Sequence, residues 1–70
     1  MINSITVKIT WDDKTNLWIA GSDDIPHLEL ENPSLDALLE YADLAVRESF
    51  DGTGSVFVEY IASRREKLML

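Results

Sequence analysis

The sequence contains no cysteine, and this absence excludes disulfide bonds and thiolate metal ligands. A chain without cysteine suits a reducing compartment, so we expect a cytoplasmic protein. Long apolar runs are absent as well, since no segment approaches the ~20 apolar residues that span a bilayer, and we expect no membrane partner. The first ten residues have no charged start and no long apolar run, so they do not predict a signal peptide.

Basic residues are scarce in this chain. Six lysines and arginines face 13 aspartates and glutamates, and the formal net charge is −7. All but one of the acidic residues lie in residues 1–63, whereas residues 64–70 carry a small positive charge. An acidic body repels phosphate, so we expect no direct binding to nucleic acid. The alternative explanation of the negative charge is that it keeps a small protein soluble.

The length and the apolar content set the size of the fold. Seventy residues allow one domain at most, and 46% hydrophobic residues are typical of a globular chain. We therefore assign residues 1–63 to a single domain. Residues 64–70 form a tail or an extension of the last strand.

The first half of the chain predicts three strands. Apolar residues alternate with polar ones at Ile5, Val7, Ile9 and Trp11. This alternation predicts a strand over about 4–11 with one buried face. A polar turn over 12–16 and a second apolar run over 17–22 indicate a hairpin. Residues 28–31 alternate again and predict a short third strand.

The second half predicts one helix and one strand. Apolar residues recur at spacings of three and four, at Leu35, Leu38, Leu39, Ala42, Ala45, Val46 and Phe50. The helix N-cap is either Asn32, with Pro33 at the first helical position, or Ser34, with Asp36 in the first turn. Residues 51–54 end the helix. Residues 55–63 predict a fourth strand that is largely apolar on both faces.

These elements predict the fold class. The order β-β-β-α-β, with a right-handed crossover into the last strand, gives an α+β two-layer sandwich. We expect a four-stranded sheet of order 3-2-1-4 with one helix on one face. The predicted core contains Val7, Ile9, Leu38, Ala42, Val46 and Val58, and Trp11 is expected to join it.

Two short segments resemble a known family. The first contains Trp18-Ile19-Ala20 followed by Asp24-Ile25-Pro26, and the second is the helix opening at 33–38. Both resemble motifs of HicB-like antitoxins. The similarity covers about residues 4–63 and is closest to a small stand-alone branch of unknown function. It implies a truncated ribonuclease-H-like fold and a partner, a small basic ribonuclease toxin of the HicA type. His27 stands where that family usually has glycine, and nothing resembles the DNA-binding segment of full-length relatives.

Catalysis is not expected from these residues. Ribonuclease-H-like hydrolysis needs carboxylates on the sheet face, starting in the first strand, and that strand offers Thr6, Lys8 and Thr10. The aspartate pairs 12–13 and 23–24 fall in turns, where aspartate commonly satisfies the backbone. We therefore expect no enzyme, no cofactor and no metal site, and a hydrolase is the disfavoured alternative.

The candidate partner-binding residues lie around the link and the third strand: Trp18, Asp23, Asp24, Ile25, Glu29 and Glu31. Acidic groups would attract a basic partner, and Trp18 and Ile25 would anchor it. Packing against a neighbouring strand is the alternative reading of Trp18. Asp36, Glu40 and Asp43 on the helix would extend the acidic surface.

Self-association is predicted from the end of the chain. The candidate residues are Val56, Val58, Leu68, Met69 and Leu70. An apolar strand at the edge of a sheet and an apolar tail invite a homodimer, although a disordered tail is the alternative. A self-associating or interaction module with no toxin partner is therefore the second functional hypothesis.

Overall fold

The computed structural model describes residues 3–50 and 54–69. Its elements follow the predicted order: β1 (Asn3–Asp12), β2 (Leu17–Gly21), β3 (Glu29–Asn32), α1 (Leu35–Ser49) and β4 (Val56–Ser63). The sheet order is β3-β2-β1-β4. β1 runs antiparallel to β2 and parallel to β4, and β2 runs antiparallel to β3. The predicted α+β fold and strand order are confirmed.

The hairpin between β1 and β2 is closed by a turn that the polar residues 12–16 can form. The Asn16 N–H donates to the Asp12 carbonyl at 2.8 Å, and Asn16 has a φ of 57°. Asparagine is among the residues that tolerate this left-handed conformation best. The Asp12 carboxylate accepts a hydrogen bond from the Lys14 N–H at 3.0 Å. That bond lowers the pKa of Asp12, with the Thr15 hydroxyl contributing.

The helix begins at Leu35 with Ser34 as its N-cap. The Ser34 hydroxyl accepts a hydrogen bond from the Ala37 N–H at 3.3 Å. Asn32 instead ends β3, and its side chain accepts from the Ser34 N–H at 2.8 Å. The first expectation for the cap, Asn32 with Pro33 at the first helical position, is therefore wrong. The helix ends at Ser49 with Phe50 as its C-cap, and residues 51–53 of the predicted helix end lie outside the described residues.

One face of the sheet packs on the helix and forms the core. Val7, Ile9, Leu38 and Ala42 are fully buried, and the remaining buried residues are Ile5, Ala20, Ile25, Leu28 and Val46. Val58, expected in the core, is half-buried and packs against it. The helix approaches β3 and β2 most closely, so the β4 side of this face is covered least. Trp11, also expected in the core, is likewise half-buried.

The opposite face of the sheet has no described element across it. Strand alternation places Thr6, Lys8 and Thr10 of β1 there, together with Ile19 of β2. Glu29 and Glu31 of β3 and Phe57 and Ile61 of β4 lie on the same face. We call this surface the open face.

Candidate functional site

The link after β2 is fastened to the backbone of β1. β2 ends at Gly21, which pairs with Lys8, so it leaves Thr6 without a strand neighbour on this side. The Asp24 carboxylate accepts a hydrogen bond from the Thr6 N–H at 2.8 Å. The Ser22 hydroxyl donates to the Thr6 carbonyl at 2.6 Å. Two side chains of the link thereby replace the bonds that a longer β2 would have made.

The next residues of the link turn the chain into β3. Ile25 is 7% exposed and belongs to the hydrophobic core, and Leu28 beside it is equally buried. The Leu28 N–H donates to the Ile25 carbonyl at 3.3 Å. His27 sits in this turn with a φ of 69°, in the left-handed region that glycine adopts most easily. Asp24-Ile25-Pro26 thus has a structural role in the link, and Ile25 is not available as a surface anchor.

Asp23 is exposed like its neighbour Asp24, but its carboxylate faces the side chain of Lys8 and not the backbone of Thr6. It lies 3.9 Å from the Lys8 ammonium, and both groups are open to solvent. An exposed ion pair of this length contributes little to stability. Both acidic residues of the link therefore remain exposed to solvent, and Asp24 in addition fastens the link to the backbone of Thr6.

A groove of about 620 Å³ opens on the open face beside β3. Ile19 and Gly21 of β2 lie in it, between Lys8 on one side and Glu29 and Glu31 on the other. Both glutamates are exposed, whereas Ile19 is half-buried. Asp23 lies at one end of the groove. The lining of the groove therefore combines apolar residues with three acidic groups and a single basic one.

Trp18 lies on the other face of the sheet, towards the helix. It packs against the core and meets Trp11 edge to face, with ring centroids 5.2 Å apart. The Arg64 guanidinium lies 4.3 Å from the centre of the Trp11 ring and forms an ion pair with Glu66. The alternative reading of Trp18, packing against a neighbouring strand, describes this contact.

The predicted acidic surface is split between two layers. Asp36 and Glu40 are exposed on the helix, so they lie on the opposite side of the molecule from Glu29 and Glu31. Asp43 forms an ion pair at 3.0 Å with Arg47, which lies one turn further along the same helix. A partner that contacts the open face therefore meets Asp23, Glu29, Glu31 and, on β4, Glu59, and not the acidic residues of the helix.

β4 and the tail leave apolar side chains in solvent. Phe57 is 61% exposed and Ile61 47% exposed on the open face, while Val56 and Val58 are half-buried on the helix side. The tail residues Leu68 and Met69 are still more exposed, and Leu70 lies outside the described residues. The sequence predicted the apolar strand but not Phe57 and Ile61 as its free residues. Their alternation with Val56 and Val58 is the sequence signal that would have assigned Phe57 and Ile61 to the other face of the strand.

Tyr60 carries a buried polar atom on the helix side of β4. Its hydroxyl oxygen has no hydrogen-bond partner among the residues that the structure describes. Burial raises the pKa of Tyr60, and the nearby Asp43 carboxylate adds to this effect while Arg47 opposes it. The neutral phenol is therefore the form that the fold favours.

The described part of the chain holds neither a group of metal ligands nor a membrane-spanning helix. Within residues 3–50 and 54–69, no three histidine, aspartate or glutamate side chains come close enough to hold a metal ion. No helix in these ranges combines the length and the apolar character that crossing a bilayer requires.

The fold and its surfaces define a small α+β domain with one covered and one open sheet face. Residues 4–69 match the family described as Domain of unknown function (DUF1902), so the chain belongs to this family. A similar solved structure is the hypothetical protein TTHA1013 from the extremely thermophilic bacterium Thermus thermophilus. It is 30% identical, with a TM-score of 0.58, and the alignment covers 97% of this chain and 100% of that one. No curated protein matches the chain.

Proposed function

We propose that this domain binds proteins without catalysing a reaction, and that it acts as a HicB-like antitoxin. Its partner would be a small basic ribonuclease toxin of the HicA type. The observation that carries this proposal is the groove on the open face, which Asp23, Glu29 and Glu31 line together with the half-buried Ile19. The short motifs shared with HicB-like antitoxins support it as well, because Asp24 and Ile25 build the link that borders this groove.

The arrangement suits a cationic protein surface. Acidic groups repel phosphate but attract lysine and arginine, so this face would compete with RNA for a basic RNA-binding site. Complementary charge mainly accelerates encounter, and a desolvated apolar contact holds the complex. We assign that contact to Ile19, since Ile25 is buried in the core and Trp18 faces the helix layer.

The experiment purifies the product of the adjacent reading frame, provided that it is a small basic protein, and titrates it with this domain. Association rates are measured at low and at high salt. The association rate should fall steeply as salt is added, because salt at physiological concentration screens charges that are more than ~8–10 Å apart. In the variant Glu29→Lys/Glu31→Lys, two acidic groups of the groove are reversed, so binding should slow by about tenfold or more.

A matched control carries the same change of charge on the helix layer. Asp36→Lys/Glu40→Lys reverses two exposed acidic residues on the opposite side of the molecule. We expect this variant to keep most of its affinity at moderate salt. Equal effects of the two double variants would mean that only net charge matters, and absence of binding at low salt would overturn the proposal.

A further inference from the structure

The two edges of the sheet differ in which backbone groups face outward. The Thr6 N–H and C=O bond to the link beside β2, and successive residues of a strand direct these groups to opposite sides. Val7, one residue later, therefore directs its groups to β4. In a parallel ladder it bonds to the residues that flank its partner Tyr60. The residues of β4 with outward N–H and C=O groups are then Val56, Val58, Tyr60 and Ala62.

The β3 edge is short and charged. The same alternation directs the backbone groups of Leu30 and Asn32 towards β2, so Glu29 and Glu31 hold the outward ones. β3 has only four residues, and both of these outward residues are acidic. Short, charged edges are the usual protection of a sheet against pairing with another chain.

The β4 edge lacks this protection. β4 has eight residues, and the four with outward groups carry no charge. No strand pairs with this edge within residues 3–50 and 54–69. Exposed apolar side chains lie along it, namely Phe57 and Ile61, and Leu68 follows in the tail. An edge of this kind is ready to accept a strand.

We propose that the occupant is β4 of a second copy, paired antiparallel around a two-fold axis at Ala62. This register places Glu59 of each copy opposite Arg65 of the other and Val56 opposite Leu68. Glu59, the one charged residue of β4, thus meets the basic segment that follows the strand, and the exposed tail gains an apolar neighbour. A register centred on Glu59 would set two glutamates directly opposite each other, which is unfavourable.

The pairing leaves the other surfaces of the domain in place. A two-fold axis between antiparallel strands of one sheet is perpendicular to that sheet. Both helices then lie on one side, and both open faces lie on the other. The grooves beside β3 are at the far ends of the joined sheet, so the dimer and the proposed toxin complex do not compete. The two proposals therefore fail or succeed independently.

Sedimentation of the protein alone tests the pairing. Wild-type protein should be dimeric at high micromolar concentration and should dissociate on dilution. Ala62→Pro removes one outward N–H from each copy at the two-fold axis, where the two Ala62 residues exchange both bonds. Its dimer should weaken by about tenfold or more while its circular dichroism stays that of the folded domain. Glu31→Pro, the control on the β3 edge, should remain dimeric.

A cysteine variant tests the register and does not depend on proline being tolerated. The chain has no cysteine of its own. Opposed residues that exchange both hydrogen bonds have Cα atoms ~5.5 Å apart, within the range of a disulfide. Ala62→Cys should therefore form a covalent dimer in a glutathione redox buffer much faster than Glu31→Cys.

Three results would overturn the proposal. The first is a wild-type protein that stays monomeric up to millimolar concentration. The second is a folded Ala62→Pro variant that dimerises like wild type. The third is cross-linking of Glu31→Cys that matches or exceeds that of Ala62→Cys.

Discussion

Replacing Leu38 by alanine tests the packing of the helix on the sheet. Leu38 is fully buried in the first turn of the helix and belongs to the core that includes Val7 and Ile9. The change removes three carbons, and at ~0.8 kcal/mol for each methylene the transfer term alone is roughly 2.4 kcal/mol. The cavity that remains brings the expected loss to about 2–5 kcal/mol.

This loss is large for a chain of this size. At roughly 0.05–0.15 kcal/mol per residue, 70 residues give a free energy of unfolding of about 3.5–10 kcal/mol. A change of 1 kcal/mol shifts Tm by about 4–8 °C in domains of 60–100 residues, so Leu38→Ala should lower Tm by about 8 °C or more. Thermal and urea unfolding are measured at one fixed protein concentration, because dimerisation would make Tm depend on concentration.

The control has the same chemical change on the same helix. Leu44 is 55% exposed, so Leu44→Ala leaves no cavity and should change stability by well under 1 kcal/mol. Similar losses in the two variants would refute the assigned helix face. A Leu38→Ala variant that melts like wild type would show that Leu38 is not in the core.

The remaining predictions concern the link and the phenol. Asp24→Ala removes the acceptor of the Thr6 N–H and should lower the free energy of unfolding in urea by about 1 kcal/mol. Asp23→Ala, the control, removes only an exposed ion pair and should change it little. Equal losses in the two variants would contradict the structural role of Asp24. Tyr60→Phe removes an unpartnered buried hydroxyl and should stabilise the domain by about 1 kcal/mol at neutral pH. The folded state raises the pKa of Tyr60 above 10.0, so the free energy of unfolding of the wild type should fall as pH rises beyond that value. The Tyr60→Phe variant should lose less stability over the same pH range. A variant less stable than wild type at neutral pH would instead reveal a hydrogen bond to the hydroxyl.

The fold was predictable because each element has a strong local signal. Alternation in β1, the spacing of apolar residues in the helix and the crossover rule together determine the strand order. Errors fall at element ends, where neighbouring residues compete for the same role. Asn32 and Ser34 are both good N-caps, and pairing of Asn32 with Trp18 in the sheet leaves the cap to Ser34. β3 begins at Glu29, one residue later than predicted, because Leu28 packs into the core before the pairing with β2 begins.

The site was only partly predictable, since its parts depend on contacts distant in sequence. The turn chemistry of Asp23 and Asp24 is visible in the sequence, but the bond from Thr6 joins residues 18 positions apart. Ile25 looks like a surface residue between an aspartate and a proline, and only the packed link shows it buried. The place of Glu29 and Glu31 was predictable, because alternation with Leu30 assigns them to the face that the single helix does not cover.

The difference between the two sheet edges also limits how large an assembly can become. Each copy has one neutral edge, at β4, and one acidic edge, at Glu29 and Glu31 of β3. A single antiparallel pairing uses the neutral edges of both copies, and the edges that remain are both acidic. Like charges oppose further addition of strands, so the growth of the sheet terminates after one step. A chain with two neutral edges would instead be able to propagate into a fibre.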